Sequence, residues 1–195
     1  EQHLLHKVGD GFRTPEEYLG LFPDDGVRRG EWTPQYLRHA SAPATAARIL
    51  SPGAPILALL RDPVDRFLSA MRLAATRGTS PWPYPVPITV QTWSGFYADQ
   101  LAMWRHFVGA DRMTVMVYET VRRDPQAAVD AVWRGLGLGS VPLQEVDRPS
   151  RSSSHASWEP PEGLVESLRV LYRPQAQRLA EEWGLDVSTW PTAAG

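Results

Sequence analysis

The chain has 195 residues, enough for one α/β domain with a full core and short for two. Its 43% hydrophobic and 22% charged content is that of an ordinary globular protein, and a net charge of −2 argues against general attraction to nucleic acid or a membrane surface. Cysteine is absent, which excludes disulfides and thiolate metal sites and permits a reducing compartment, and no apolar run approaches the ~20 residues of a membrane helix. A cytoplasmic protein without membrane or nucleic-acid partners is expected, and the Ala, Arg, Pro and Trp bias suits a bacterium of high GC content.

In chain order, "RTPEEYLGLF" (13–22) predicts a short helix, with Thr14 as cap, Pro15 in the first turn and Glu16 and Glu17 at its positive end. "FPDDG" makes a turn, "GEWTPQYL" (30–37) is irregular and broken at Pro34, and 42–50 is helical up to the breaker run "SPGAP". "ILALL" (56–60) lacks alternation and predicts a strand covered on both faces, as in a parallel sheet. Residues 65–77 form the next helix, and "GTSPWPYPVPIT" (78–89) a stiff proline-rich loop. Residues 92–109 predict one amphipathic helix burying Phe96, Leu101, Trp104 and Phe107. "MTVMVYET" (113–120) is a second buried strand, followed by a helix with Asp124 as cap and Pro125 at its first position. After the polar loop "DRPSRSSSHAS", residues 162–185 supply one or two closing helices, interrupted at Pro174. Strands alternating with helices give an α/β fold with a mainly parallel sheet, in a single domain spanning 1–195.

Ligands of such sheets collect beyond the carboxyl ends of strands. Arg61 stands there, directly after "ILALL", and Ser69 follows eight residues on, about two helical turns away. A guanidinium and a hydroxyl so placed can share one phosphate; the alternative is a surface Arg–Asp pair and an ordinary helix serine. "GLGLGS" (135–140) ends a helix instead of following a strand, so it reads as a C-cap and not a dinucleotide fingerprint. His3 and His6 lack a carboxylate at ligand spacing, and no metal is expected. "PWPYPVP" offers Trp82 and Tyr84 either to a flat acceptor or to packing of their own loop; a polyproline ligand for a partner is the third reading.

"RDPVDRFLSA" resembles the 3′-phosphate-binding segment of sulfotransferases that use 3′-phosphoadenosine-5′-phosphosulfate (PAPS). "GEWTPQYL" resembles that family's Gly-Glu-Lys-Ser/Thr-Pro-x-Tyr-Leu element, with Trp32 in place of the usual lysine. "GFYADQLAMW" resembles its Gly-x-Tyr-x-x-x-Leu-x-x-Trp helix. "VMVYETVRRDPQAAVDAVWRGLGL" is similar to its strand ending in Tyr-Glu with the helix beyond, and "LYRPQAQRLAEEWGLDVSTW" to its closing helices and terminal tryptophan. The order is the family's own across nearly the whole chain.

The resemblance implies a P-loop-like three-layer fold whose first strand and Lys-x-Gly-Thr/Ser-Ser loop, the 5′-phosphosulfate cradle, are missing from this chain. "EQHLLH" resembles the tail of the family's Lys-Glu-Pro-His-Phe-Phe segment, so the chain is expected to begin just after that loop. The same match implies Glu1 as general base and His3 as a secondary base. It implies Arg61 and Ser69 as 3′-phosphate ligands, and Glu119 as a structural helix-start residue. Arg151 falls near the family's late nucleotide-closing loop, or is a solvated surface arginine. Glu31, Trp32 and Thr33, with Trp82 and Tyr84, are expected along the acceptor cleft.

The implied reaction moves the sulfuryl group of PAPS to a hydroxyl of a carbohydrate or small natural product by in-line displacement. It leaves 3′,5′-adenosine bisphosphate and requires no metal. Rival readings are a non-catalytic nucleotide-binding relative, a P-loop small-molecule kinase, for which no Gly-x-x-x-x-Gly-Lys-Ser/Thr is present, and an interaction domain using the Pro-rich loop.

Overall fold

The computed structural model describes residues 5–27, 29–76, 85–144 and 158–193. Helices α1 (Leu5–Gly9) and α2 (Pro15–Leu19) come first, then a 3₁₀ helix (Pro34–Arg38), α3 (Ser41–Ile49), β1 (Ile56–Leu60) and α4 (Pro63–Thr76). They are followed by α5 (Pro85–Trp93), α6 (Tyr97–Val108), β2 (Met113–Val117), α7 (Tyr118–Arg123), α8 (Pro125–Gly135) and α9 (Leu164–Trp183). β1 and β2 are neighbours in a short parallel sheet, so the class is α/β as expected.

Contacts divide the chain into two compact units, one of Glu1–Ala58 with Asp99–Met113 and one of Leu59–Ala98 with Thr114–Gly195. In the first, Leu5, Val8, Tyr18, Ala42, Ala46, Trp104 and Val108 form the core. α1 and α3 meet closely at Gly9, where any Cβ would collide with the side chains of Ser41 and Thr45. The α2 cap is the one predicted: Thr14 Oγ1 accepts the Glu17 N–H at 3.2 Å, and Glu17 Oε2 accepts the Thr14 N–H at 2.7 Å.

In the second unit, Val64, Phe67 and Met71 of α4 pack against Leu168 and Tyr172 of α9. These positions recur at three, four and seven, so one stripe of each helix is apolar. Burying each such side chain contributes about 1.5–3 kcal/mol.

Several expectations need correction. β1 is covered on one face only: Ala58 and Leu60 are buried while Leu57 and Leu59 are 43% and 36% exposed. An unalternating apolar run cannot tell a one-sided strand from a two-sided one. The helix expected over 92–109 is two, α5 ending at Trp93 and α6 starting at Tyr97. The break centres on Gly95, whose added Cβ would lie 2.6 Å from the Tyr172 ring.

Phe107, expected in the core, is 44% exposed; the buried positions of α6 are Tyr97, Ala98, Gln100, Leu101, Trp104 and Val108. Part of the supposed proline loop is helical from Pro85, because a proline in the first turn lacks only an N–H that would have no intrahelical partner. The irregular segment turns into a 3₁₀ helix at Pro34 for the same reason. The second strand stops at Val117, and Tyr118 already begins α7.

α9 runs through Pro174 without ending. The carbonyl that loses its partner belongs to Val170, a residue 58% exposed, where water can replace the missing N–H. None of the described helices is long and apolar enough to cross a membrane.

Candidate active site

The turn after β1 is built around Asp62, which is 1% exposed. Pro63 opens α4 and has no N–H, so the next two amides need an acceptor. Asp62 Oδ1 takes both, from Val64 and Asp65, each at 2.9 Å. Its Oδ2 accepts the Thr192 N–H at 3.1 Å. The Asp62 N–H donates to Glu119 Oε1 at 3.2 Å, and Glu119 Oε2 accepts the Trp190 indole N–H at 2.8 Å. The turn is thereby tied to the start of α7 and to the C-terminal tail through charge-assisted bonds that are buried or partly buried.

With Asp62 held inward, Arg61 is left facing outward at the carboxyl end of β1. Its side chain is 38% exposed, with Nη2 only 3.4 Å from Asp65 Oδ2 and its guanidinium 5.7 Å from the Tyr118 ring centroid. Ser69 is half-buried, four residues beyond Asp65 and so on the same helix face. Arg61, Asp65 and Ser69 thus form one row along the start of α4. Arg122, four residues after Tyr118, places its guanidinium 5.9 Å from the same ring.

Arg66 points elsewhere. Its Nη1 donates to Gln91 Oε1 at 2.8 Å and its Nη2 to the Gln91 carbonyl, so it links α4 to α5.

Of the residues expected at the acceptor cleft, Glu31 and Thr33 share one polar cluster in the first unit. Glu31 Oε1 accepts the Thr33 hydroxyl at 2.8 Å and the Tyr36 hydroxyl at 2.6 Å; Tyr36 Oη in turn accepts the Leu5 N–H at 3.0 Å. Burial, then the hydrogen bond to Glu31, pushes the Tyr36 phenol up to about 12. The Tyr18 phenol is also raised, by burial and by the Glu31 charge. Glu31 lines an open cavity of about 330 Å³ with Leu21, Phe22, Arg29 and Gly30. Trp32 is 59% exposed. Glu1, His3, Trp82, Tyr84 and Arg151 lie outside the described residues. Among the described residues no group of His, Cys, Asp and Glu is arranged to hold a metal ion.

Sequence reading overlooked Asp62 as the hub of the turn, and with it Trp190, Thr192 and Arg122. An aspartate just before a helix-opening proline is a local cap signal. The partners of Asp62 and Glu119, however, are 57, 71 and 130 residues away in sequence and carry no such signal.

A profile described as "Sulfotransferase family" matches residues 13–142. Among solved structures, the chain is similar to the crystal structure of a sulfotransferase from Alicyclobacillus acidocaldarius. That match has 25% sequence identity and a TM-score of 0.73, over 91% of this chain and 74% of the other. No curated protein matches. The profile spans the Arg61 turn, α4 and β2. The chain belongs to the sulfotransferase family, and its fold is the P-loop-like α/β fold of the bacterial enzyme.

Proposed function

We propose that the chain serves sulfuryl transfer from PAPS to a hydroxyl acceptor, and that the row of Arg61 and Ser69 holds the 3′-phosphate of the nucleotide. The observation that carries this reading is the state of Arg61. It sits at the carboxyl end of a parallel strand, half-exposed, and among the described residues its one carboxylate partner is Asp65, at a long 3.4 Å. A phosphate offers its fork two oxygens at once, a better partner than one carboxylate oxygen at 3.4 Å. Ser69 adds a hydroxyl donor on the same face.

PAPS, when bound, supplies an activated sulfuryl group on a phosphate leaving group. The residues of this chain bind and orient. The Asp62–Glu119 hydrogen bond fixes the turn, so that Arg61 spends little side-chain freedom on reaching its anion. Family membership supports a hydroxyl-bearing acceptor. On the resemblance of the N-terminal segment, Glu1 removes the proton of that hydroxyl, with His3 as a secondary base, worth ~10²–10⁴-fold in rate. The Leu5 N–H, bonded to Tyr36, ties the fifth residue of that segment to the Glu31 cluster. Glu31, Trp32 and Thr33 then belong to the acceptor side, with Trp82 and Tyr84 as candidate stacking surfaces and Arg151 as a further nucleotide ligand. A carbohydrate or small natural product is the acceptor class we favour, in the cytoplasm of a bacterium.

The test is calorimetric titration with 3′,5′-adenosine bisphosphate and with AMP. The bisphosphate should bind more tightly, and Arg61→Ala and Ser69→Ala should remove that preference. Equal affinity of the unaltered chain for the two nucleotides would sink the assignment.

A further inference from the structure

We infer that Arg122 is a second guanidinium for the same 3′-phosphate, acting beside Arg61 at the Tyr118 ring and selecting nucleotides that carry this group. This rests on the phosphate reading of Arg61 given above.

The first support is charge. Three carboxylates surround the turn, those of Asp62, Asp65 and Glu119, against the guanidiniums of Arg61 and Arg66, and Arg66 is occupied by Gln91. That neighbourhood carries more negative than positive charge, a poor setting for a phosphate dianion. Arg122 is a further cation at this ring, its guanidinium 5.9 Å from the Tyr118 centroid where that of Arg61 is 5.7 Å from it. No carboxylate pairs with it among the described residues.

The second support is geometry. A guanidinium held against an aromatic face is positioned by the ring while its in-plane N–H donors stay available, which is the form suited to gripping phosphate oxygens. Arg122 is exposed in the last turn of α7, so no core contact has to break for it to turn toward an anion. The plain alternative is a helix-surface Tyr–Arg pair four residues apart, with no ligand to bind.

Arg122→Met keeps the stem that packs on the ring and removes the charge. Its affinity for 3′,5′-adenosine bisphosphate should fall about ten- to a hundred-fold, the range for losing a charged hydrogen bond, with AMP affinity unchanged. Arg122→Lys keeps the charge without the fork and should fall between Met and the unaltered chain, while thermal melting of both variants confirms an intact fold. Undiminished bisphosphate binding in Arg122→Met, or equal losses for the two nucleotides, overturns the inference. If Arg61→Ala abolishes the preference and Arg122→Met leaves it, this inference alone fails. If the unaltered chain shows no preference, the Arg61 reading fails and takes this one with it.

Discussion

Glu119 and Asp62 are 57 residues apart, and Glu119 Oε1 accepts the Asp62 backbone N–H at 3.2 Å, joining the end of β1 to the start of α7. The other carboxylate oxygen of Glu119 holds Trp190, which is 1% exposed. One side chain therefore satisfies two donors that would otherwise stand unpaired. Glu119→Gln keeps the shape but presents an amide NH₂ to one of those donors. It should cost about 1–3 kcal/mol in urea unfolding and weaken bisphosphate binding, because the Arg61 turn loses its support. Unchanged stability would show that the bond carries nothing.

Asp62 should matter more than its neighbour. Asp62→Ala removes the cap of α4 and leaves the Thr192 N–H without its acceptor; the cap alone is worth about 0.5–2 kcal/mol. Asp65→Ala, at a side chain 50% exposed, should change stability by less than about 0.5 kcal/mol. Comparable losses in the two variants would contradict the buried network.

Gly95 sets the break between α5 and α6. Gly95→Ala places a methyl 2.6 Å from the Tyr172 ring, which is fully buried and donates its hydroxyl to the Thr92 carbonyl at 2.8 Å. Overpacking of this kind costs about 1–3 kcal/mol. Tyr172→Leu should be destabilising alone, yet combining it with Gly95→Ala should cost less than the sum, read from a double-mutant cycle. Strict additivity would mean that the two sites do not touch.

Alkaline pH should unfold the protein through its phenols. Burial raises Tyr36, Tyr97 and Tyr172 to about 12, above the ordinary value of 10.0. The folded state therefore retains protons that the unfolded chain gives up, so this stabilisation is complete below pH 10 and is lost as pH rises toward 12. Phenolate absorbance should appear late in the folded protein and at ordinary pH once urea unfolds it. Glu31→Gln removes the charge beside Tyr36 and leaves only a weaker, neutral acceptor, so it should bring that phenol down; an identical titration would separate Glu31 from the tyrosine.

Much of the fold was legible locally. Thr14, Pro15 and Glu17 mark α2, and Asp124 and Pro125 mark α8, because a cap is decided by residues within one turn. β1 appears at the predicted residues because breakers bound its apolar run. The row of Arg61 and Ser69 was readable from strand end, proline and helical spacing alone. Phe107 was not, since helical period names a stripe and neighbouring elements decide which edge of it is covered. Pro174 misled in the opposite sense: a proline breaks a helix only where the surroundings cannot replace its lost bond.

The amino-acid sequence by itself determined the α/β class, the caps of α2 and α8, and the position of Arg61 directly after β1, since all of these are set by interactions a few residues long. Only the tertiary structure decided that Asp62 turns inward onto Thr192, that Glu119 bridges it to Trp190, and that Arg61 comes within 5.7 Å of the Tyr118 ring centroid. Those contacts join segments up to 130 residues apart, and their hydrogen bonds gain strength from burial that no local spacing encodes.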